Sequence, residues 1–372
     1  MQKSRYIMIG GFLGAGKTTA ILKLAEHLRA GGKRVGLITN DQSVGLVDTA
    51  MLASHGFATE EITGGCFCCR FNSLTDAADR LAENARPEVF IAEPVGSCTD
   101  LKASVSYPLR RMYGDSYSVA PLSVLVDPLR AERILGLETG KAFTPKVVYV
   151  YEKQLEEAEV IVVNKVDLLP AERRARLVGN LAERFPKAKV VEISARSGEG
   201  MQAWFDLIAG SDLGSEPSMD VDYELYAEGE ALLGWMNCTA ALESAEAVDG
   251  NALLRDLAGR IAAKLAADDA EVAHLKMTLT PTAGGGGDIA VLNLVRSGGQ
   301  AELSHELAAG VTAAELIVNL RAEADPELLR QATVEAVGEV ERSLGGGATL
   351  SVSHLEHFRP GKPQPTHRFA TA

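Results

Sequence analysis

The chain has 372 residues, a formal net charge of −13, 46% hydrophobic residues and 23% charged residues, proportions typical of an ordinary globular protein with two domains. The acidic balance argues against a nucleic-acid partner, and the first apolar stretch is too short for a signal peptide or a membrane span. Three of the five cysteines fall within four residues, which indicates metal or redox chemistry in a reducing compartment. We therefore expect a cytoplasmic protein with no nucleic-acid or membrane partner.

The first 210 residues alternate apolar runs with amphipathic stretches. This pattern predicts an α/β domain, with a mostly parallel sheet and helices on both of its faces. The predicted strands are rich in Val, Ile and Leu, as expected for strands that are buried on both sides. In chain order, strands are predicted at 6–9, 35–39, 89–92, 122–126, 160–163 and 189–193, and helices at 18–30 and 170–185.

Residues 211–222 are rich in Gly, Ser, Asp, Glu and Pro and are predicted to be a linker. The remainder, 223–372, is predicted to be a smaller α+β domain with a short tail. The glycine run at 284–287 precedes a strand instead of a helix, which favours a flexible hairpin loop over a phosphate-binding turn. Strands are predicted at 232–242, 275–279, 289–295, 315–320 and 349–354, and helices at 252–266 and 325–345.

A phosphate-binding motif follows the first predicted strand. Residues 11–18 match the pattern GxxxxGK[ST] between a strand and a helix, where backbone N–H groups and the helix N-terminus can hold phosphates. The Lys17 ammonium can bridge the β- and γ-phosphates, and the Thr18 hydroxyl can bind Mg²⁺. The nucleotide-binding residues predicted here are Gly11, Gly14, Ala15, Gly16, Lys17, Thr18 and Thr19.

A second acidic element ends the strand at 89–92. Glu93 stands at the carboxyl end of this apolar run, where a carboxylate can hold Mg²⁺ directly or through water. Gly96 allows the backbone to approach the γ-phosphate. We therefore predict that Lys17, Thr18 and Glu93 form the catalytic group.

The sequence Asn164-Lys165-Val166-Asp167 follows the strand at 160–163 and predicts a guanine-binding loop. The Asp167 carboxylate would accept hydrogen bonds from the guanine N1–H and amine, where adenine presents the opposite pattern. Lys165 would lie along the base. Ser194 and Ala195 follow the next strand and match the loop whose backbone supports guanine O6. This order of motifs favours GTP and GDP over adenine nucleotides.

The Gly-flanked run Cys66-Phe67-Cys68-Cys69 offers up to three thiolate ligands from one short loop. Three thiolates leave a coordination position open, which suits transfer of a metal better than its permanent storage. Cys98 has two interpretations at this stage, a small core residue or a supplementary ligand.

Together these motifs resemble the CobW-type metallochaperone GTPases, relatives of the nickel-insertion GTPases of hydrogenase and urease. The resemblance covers about the first 210 residues. It implies slow GTP hydrolysis coupled to delivery of a transition metal, with zinc or cobalt favoured and iron or nickel possible, to a client metalloprotein or cofactor pathway. It also implies that Cys66, Cys68 and Cys69 bind this metal. Asp41 stands where the family has the Glu of an Asn-Glu-Phe-Gly segment and is a possible further ligand.

Two alternatives remain open from the sequence. The first is a GTP-gated assembly protein, for instance one serving a corrinoid enzyme, in which the thiols are structural. The second is a thiol-redox sensor joined to a GTPase domain. The sequence leaves the identity of the metal and client open, and a homodimer is an open possibility.

Overall fold

A computed structural model describes residues 3–40, 47–282, 288–345 and 347–371, which form two compact units. The first unit comprises Met1–Val44, Gly56–Gly229 and Lys362–Ala372. The second unit comprises Gly45–His55 and Glu230–Gly361. The chain therefore contributes a late segment, after Gly361, to the first unit.

The strands are numbered in chain order. They are β1 (Ser4–Gly11), β2 (Val35–Asn40), β3 (Ala58–Ile62), β4 (Val89–Glu93), β5 (Tyr117–Val119), β6 (Ser123–Val126), β7 (Val160–Val163), β8 (Lys189–Glu192), β9 (Leu233–Val248), β10 (Glu271–Pro281), β11 (Ala290–Leu294), β12 (Glu302–His305), β13 (Val311–Glu323) and β14 (Thr349–Phe358).

The α-helices follow the same convention, and a π-helical stretch (Lys102–Ser106) and a 3₁₀ turn (Val166–Leu168) accompany them. The helices are α1 (Lys17–Ala30), α2 (Val47–Ser54), α3 (Phe71–Asn84), α4 (Tyr107–Tyr113), α5 (Pro128–Ile134), α6 (Pro145–Glu157), α7 (Ala171–Arg184), α8 (Met201–Gly210), α9 (Tyr223–Leu232), α10 (Gly250–Ala267) and α11 (Pro326–Leu344).

The first unit is built on a parallel sheet with the order β3-β2-β4-β1-β6-β7-β8, and β5 also pairs with β1. The central strands β2, β4, β6 and β7 are buried along their whole length, as their apolar composition predicts. Because β1 lies between β4 and β6, the chain moves to one side of β1 and later to the other. Such a reversal opens a crevice at the carboxyl ends of the strands, where ligands bind in open α/β sheets.

The second unit contains an antiparallel sheet with the order β12-β11-β10-β13-β9-β14. Helices α10 and α11 contact each other and the sheet, α10 at β10 and α11 at β14. The predicted apolar face of α10 is buried, including Leu254, Leu257 and Ile261. The core of this unit is therefore one layer of helices against one sheet.

The predicted fold class, a mostly parallel α/β sheet followed by a smaller α+β part, is confirmed. The structure adds the short strands β3, β5 and β12, which the apolar pattern did not indicate because their side chains are mostly half-buried. The predicted glycine loop at 284–287 lies outside the described residues. Across the described part of the chain, the helices are too short or too polar to cross a membrane.

Candidate nucleotide and thiolate site

The loop between β1 and α1, which together with the first residues of α1 forms the phosphate loop (residues 11–18), has the backbone shape that its glycines permit. Gly11, Gly14 and Gly16 have φ angles of 129°, 78° and 88°, in the region that residues with side chains rarely adopt. A Cβ atom on Gly11 would lie 2.4 Å from the Leu125 carbonyl oxygen. The loop therefore passes against β6 and leads directly into the N-terminus of α1, where backbone N–H groups can bind an anion.

Lys17, Thr18 and Glu93 lie together at the start of α1 and the end of β4. The Thr18 hydroxyl donates to Glu93 Oε1 at 3.1 Å, and the Lys17 ammonium lies 3.9 Å from the same oxygen. All three side chains are buried. The Lys17 ammonium also donates to the Gly11 carbonyl at 2.9 Å. A hydroxyl and a carboxylate this close are hard oxygen ligands of the kind that Mg²⁺ prefers, so the residues fit this ion.

Asn164 joins three loops of this site and is only 1% exposed. Its amide nitrogen donates to the Ala15 carbonyl at 2.9 Å, and its Oδ1 accepts from the backbone N–H groups of Lys165 at 2.8 Å and Ala195 at 3.0 Å. A Cβ atom on Gly16 would lie 2.5 Å from the same amide nitrogen. Asn164 therefore positions the phosphate loop against both loops that were predicted to bind the base.

The other residues of the predicted base-binding region lie around Asn164. Lys165, with φ of 56°, extends its ammonium to the Gly14 carbonyl at 2.7 Å and to Asp127 Oδ2 at 2.8 Å. Asp167 is exposed, in the turn that follows Lys165. Ser194 is buried and accepts from the backbone N–H of Ser197.

Asp127 is a residue that sequence reasoning missed. It caps the N-terminus of α5, where it accepts from Arg130 N at 2.9 Å. Burial opposes its ionisation, but the charges of Lys165 and Arg130 hold the pKa of this carboxyl below its usual value. The ionised carboxylate fixes the Lys165 side chain over the phosphate loop. An acid at the end of β6, directly before Pro128, was the available signal.

The loop after β4 is held by α6. Gln154, 1% exposed, donates from its amide nitrogen to the carbonyls of Gly96 at 2.9 Å and Cys98 at 2.8 Å. A Cβ atom on Gly96 would lie 2.9 Å from Leu13, within the phosphate loop. The close approach of these two loops therefore favours glycine at 96, since a larger residue would have to displace Leu13.

The cysteine loop, residues 64–69, is anchored to the carboxyl end of β2 by Asn40. Its amide donates to the carbonyls of Ile62 at 3.0 Å and Gly65 at 2.8 Å, and its Oδ1 accepts from Phe67 N at 2.9 Å. Gly65 has φ of 151°, and Phe67 is fully buried. Asn40 directly follows Thr39, which pairs with Glu93 across the sheet. The loop follows β3 in the chain but is thus tied to β2, the strand that pairs with the one carrying Glu93.

The three sulfurs of this loop converge. The Sγ atoms of Cys66 and Cys68 are 2.8 Å apart, those of Cys66 and Cys69 are 3.2 Å apart, and those of Cys68 and Cys69 are 3.7 Å apart. In tetrahedral zinc–thiolate sites the sulfurs are about 3.8 Å apart, because each Zn–S bond is about 2.3 Å. Small outward shifts of Cys66 would therefore allow all three sulfurs to bind one ion.

Hydrogen bonds within the cluster favour a thiolate at Cys66. The thiols of Cys68, Cys69 and Cys98 lower the pKa of Cys66 by hydrogen bonding to its sulfur. The bond to Cys66 in turn raises the pKa of Cys69 to about 11. Cys66 is therefore the first thiol of the loop to ionise, and the thiolate is the form that binds metal.

Cys98 connects the two parts of the site. It is 1% exposed, comes two residues after Gly96, and its thiol bonds to Cys66. Of the predicted site residues, Thr19 is exposed on α1, and Asp41 lies outside the described residues. The others gather at the carboxyl ends of β1, β4, β7 and β8 or in the cysteine loop.

Comparison with known proteins gives partial matches to curated relatives. The zinc chaperone CobW of Sinorhizobium sp. is 29% identical over 228 residues, which cover 56% of this chain and 63% of that protein. The zinc chaperone YeiR of Escherichia coli (strain K12) is 32% identical over 166 residues, which cover 44% of this chain and 47% of that protein. The chain therefore spans about half to two thirds of the length of these relatives.

Among solved structures, the hydrogenase maturation factor HypB from Archaeoglobus fulgidus matches 56% of this chain and 89% of its own, with 19% identity and a TM-score of 0.40. The sequence model described as CobW/HypB/UreG, nucleotide-binding domain, matches residues 5–192, just over half of the chain. This range contains the phosphate loop, Glu93, the cysteine loop and Asn164. The resemblance predicted from these motifs is thereby confirmed, and the chain belongs to the CobW/HypB/UreG family.

Proposed function

We propose that this protein binds and slowly hydrolyses GTP and uses the nucleotide cycle to control a transition metal held by Cys66, Cys68 and Cys69. The observation that carries the proposal is the convergence of three sulfurs, all within 4.8 Å of one another, in the unit that also holds the phosphate loop. Cys98 bonds to this cluster two residues after Gly96. Movement of the backbone at Gly96, which is expected to contact the γ-phosphate, would therefore displace Cys98 and the Cys66 sulfur that is hydrogen-bonded to it.

The nucleotide part follows from the positions of the charged side chains. Lys17 would neutralise charge on the β- and γ-phosphates, and Thr18 and Glu93 would hold Mg²⁺, which adds positive charge where the leaving group develops negative charge. Lys165 would cover the base plane and Asp167 would select guanine. We expect slow turnover, because the resemblance to the CobW-type GTPases implies slow GTP hydrolysis.

The metal part follows from ligand chemistry. Three thiolates form a soft donor set with one position open for solvent or for a ligand of the acceptor, which suits transfer to a client metalloprotein. Zinc is the first candidate because two relatives carry the name zinc chaperone, and cobalt is the next. The five cysteines of the chain are free thiols, which supports a reducing compartment such as the cytoplasm.

A competition titration tests the proposal. Zinc affinity is measured against a chromophoric chelator with GDP and with a non-hydrolysable GTP analogue, for the wild type, for Cys66→Ser and for the matched control Cys238→Ser, a buried cysteine of the second unit. A coupling of about 1–3 kcal/mol gives a roughly 5- to 150-fold difference between the nucleotide states. We expect that difference in the wild type and in Cys238→Ser, and loss of zinc binding in Cys66→Ser.

Other results would support the alternatives. Equal zinc affinity in both nucleotide states would contradict GTP-controlled delivery and leave a structural role for the thiols. A wild type that binds no metal but forms a reversible Cys66–Cys68 disulfide would support the redox sensor.

A further inference from the structure

A late segment of the chain covers the cysteine loop. Residues 362–371 belong to the first unit, and their backbone is hydrogen-bonded to the loop. The Gln364 N–H donates to Cys69 Sγ at 3.1 Å, and the Thr366 N–H donates to the Cys68 carbonyl at 2.8 Å. The Thr366 hydroxyl donates to the Cys69 carbonyl at 3.1 Å. One of the three sulfurs therefore has a hydrogen-bond donor more than 290 residues away in the sequence.

The same segment is fixed at a second point by an ion pair. Arg368 Nε donates to Asp100 Oδ2 at 2.8 Å, and the Phe369 N–H donates to the Ala103 carbonyl at 2.9 Å. Asp100 is 1% exposed and has φ of 63°. A buried carboxylate is costly without a partner, and Asp100 has two: the Tyr223 hydroxyl also donates to its Oδ2, and Arg368 supplies the opposite charge.

Asp100 belongs to the loop that follows Glu93, Gly96 and Cys98. The segment 362–371 thus touches the cysteine loop at one end and the loop expected to respond to the γ-phosphate at the other. Segments ordered by γ-phosphate contacts are released on hydrolysis, which is a common form of GTPase switch. Displacement of Asp100 would break the ion pair with Arg368 and loosen the segment over Cys69.

Cys69 is the point where a metal acceptor can enter. It is half-buried, whereas Cys66 and Cys68 are 5% and 1% exposed. Transfer by ligand exchange breaks the metal bond to Cys69 and forms one to a ligand of the acceptor, with no change of oxidation state; the departing thiolate keeps its electron pair or takes a proton from water. A segment bonded to Cys69 Sγ blocks this approach.

We propose that residues 364–369 are part of the thiolate site, a strap that closes it at Cys69, and that Arg368 is the positioning residue that holds the strap through Asp100. The role in metal transfer rests on the proposed function. The closure of the site by the strap is independent of the proposed function, because the strap controls the access of any reagent to the Cys69 sulfur.

Two substitutions remove the strap in different ways. Arg368→Ala removes the ion pair, and Arg368→Lys restores a charge. Gln364→Pro removes the N–H that donates to Cys69, in a position already flanked by Pro363 and Pro365. Lys362→Ala is the matched control, because it removes only an exposed ion pair with Glu224 from the same segment.

The first measurement is the alkylation rate of each cysteine in the metal-free, GDP-bound protein by mass spectrometry. We expect Cys69 to react about tenfold faster in Arg368→Ala and Gln364→Pro, as local opening of a segment held by a few bonds becomes more frequent. The alkylation rate of Cys69 in Arg368→Lys should lie between those of the wild type and Arg368→Ala, and the rate in Lys362→Ala should equal that of the wild type. Cys238 in the second unit must keep its rate, which separates opening from global unfolding.

The second measurement is zinc transfer from the loaded protein to a thiolate peptide, which should accelerate in the same order. Unchanged Cys69 alkylation in both Arg368→Ala and Gln364→Pro would overturn the strap. A wild type that binds no zinc while Cys69 alkylation responds as expected would overturn the metal function and leave the strap standing.

Discussion

The position of Asn164 allows the cost of one substitution to be worked out from its contacts. Asn164→Ala removes a buried amide that makes hydrogen bonds to Ala15, Lys165 and Ala195. Each such bond contributes about 1 kcal/mol net, and its loss leaves buried backbone groups without a partner, so we expect a loss of about 3 kcal/mol in the free energy of unfolding. With a urea dependence of about 2 kcal/mol per M, the midpoint should fall by about 1.5 M.

Fluorescence can report this change for the first unit alone. Trp204 is fully buried in that unit and donates to Ser123 Oγ at 3.1 Å, whereas Trp235 lies in the second unit. Urea unfolding is therefore followed in a Trp235→Phe background without nucleotide. Asn84→Ala is the control, an exposed asparagine whose removal should change stability by less than about 0.5 kcal/mol.

The same variant tests the link to nucleotide binding. Asn164 holds the phosphate loop and Lys165 in fixed relation, so GDP affinity should fall at least about tenfold, or about 1.4 kcal/mol. A midpoint and a GDP affinity both equal to those of the Asn84→Ala control would refute the inference that Asn164 ties these loops together.

Three further predictions concern base selection, turnover and pH. Asp167→Asn should shift preference from GDP to xanthosine diphosphate in a competition assay, because the amide satisfies the xanthine carbonyl; equal binding of ADP and GDP by the wild type would remove this assignment. Lys17→Ala should abolish GTP hydrolysis measured as phosphate release, and retained turnover would contradict its role. Burial raises the pKa of Glu157 from 4.5 to about 8, so the folded state retains a proton that the unfolded state loses, and stability should fall by roughly 1.4 kcal/mol per pH unit as pH rises from 4.5 towards 8. Glu157→Gln should flatten this slope in urea titrations, and an unchanged slope would assign it to another group.

Much of the fold and the site could be predicted because the relevant chemistry lies in contiguous residues. The strands β2, β4 and β7 are short apolar runs, and burial on both faces dictates that composition locally. The glycines at 11, 14 and 16 permit positive φ wherever the loop lies, and the cysteines at 66, 68 and 69 are close simply because the loop is short.

Contacts between distant residues could not be predicted in this way. Whether Lys165 meets Asp127, or Arg368 meets Asp100, depends on which strands are neighbours and where each loop leaves the sheet. Sheet order is a property of the whole chain, since β1 lies between β4 and β6 although neither is its neighbour in sequence. The sequence by itself determined the local groups that are predicted to bind phosphate and a thiophilic metal. Only the tertiary structure decided which distant charges and hydrogen-bond donors lie against these groups. Such pairs form when packing brings together residues that are far apart in the sequence, and a local sequence pattern carries no information about that packing.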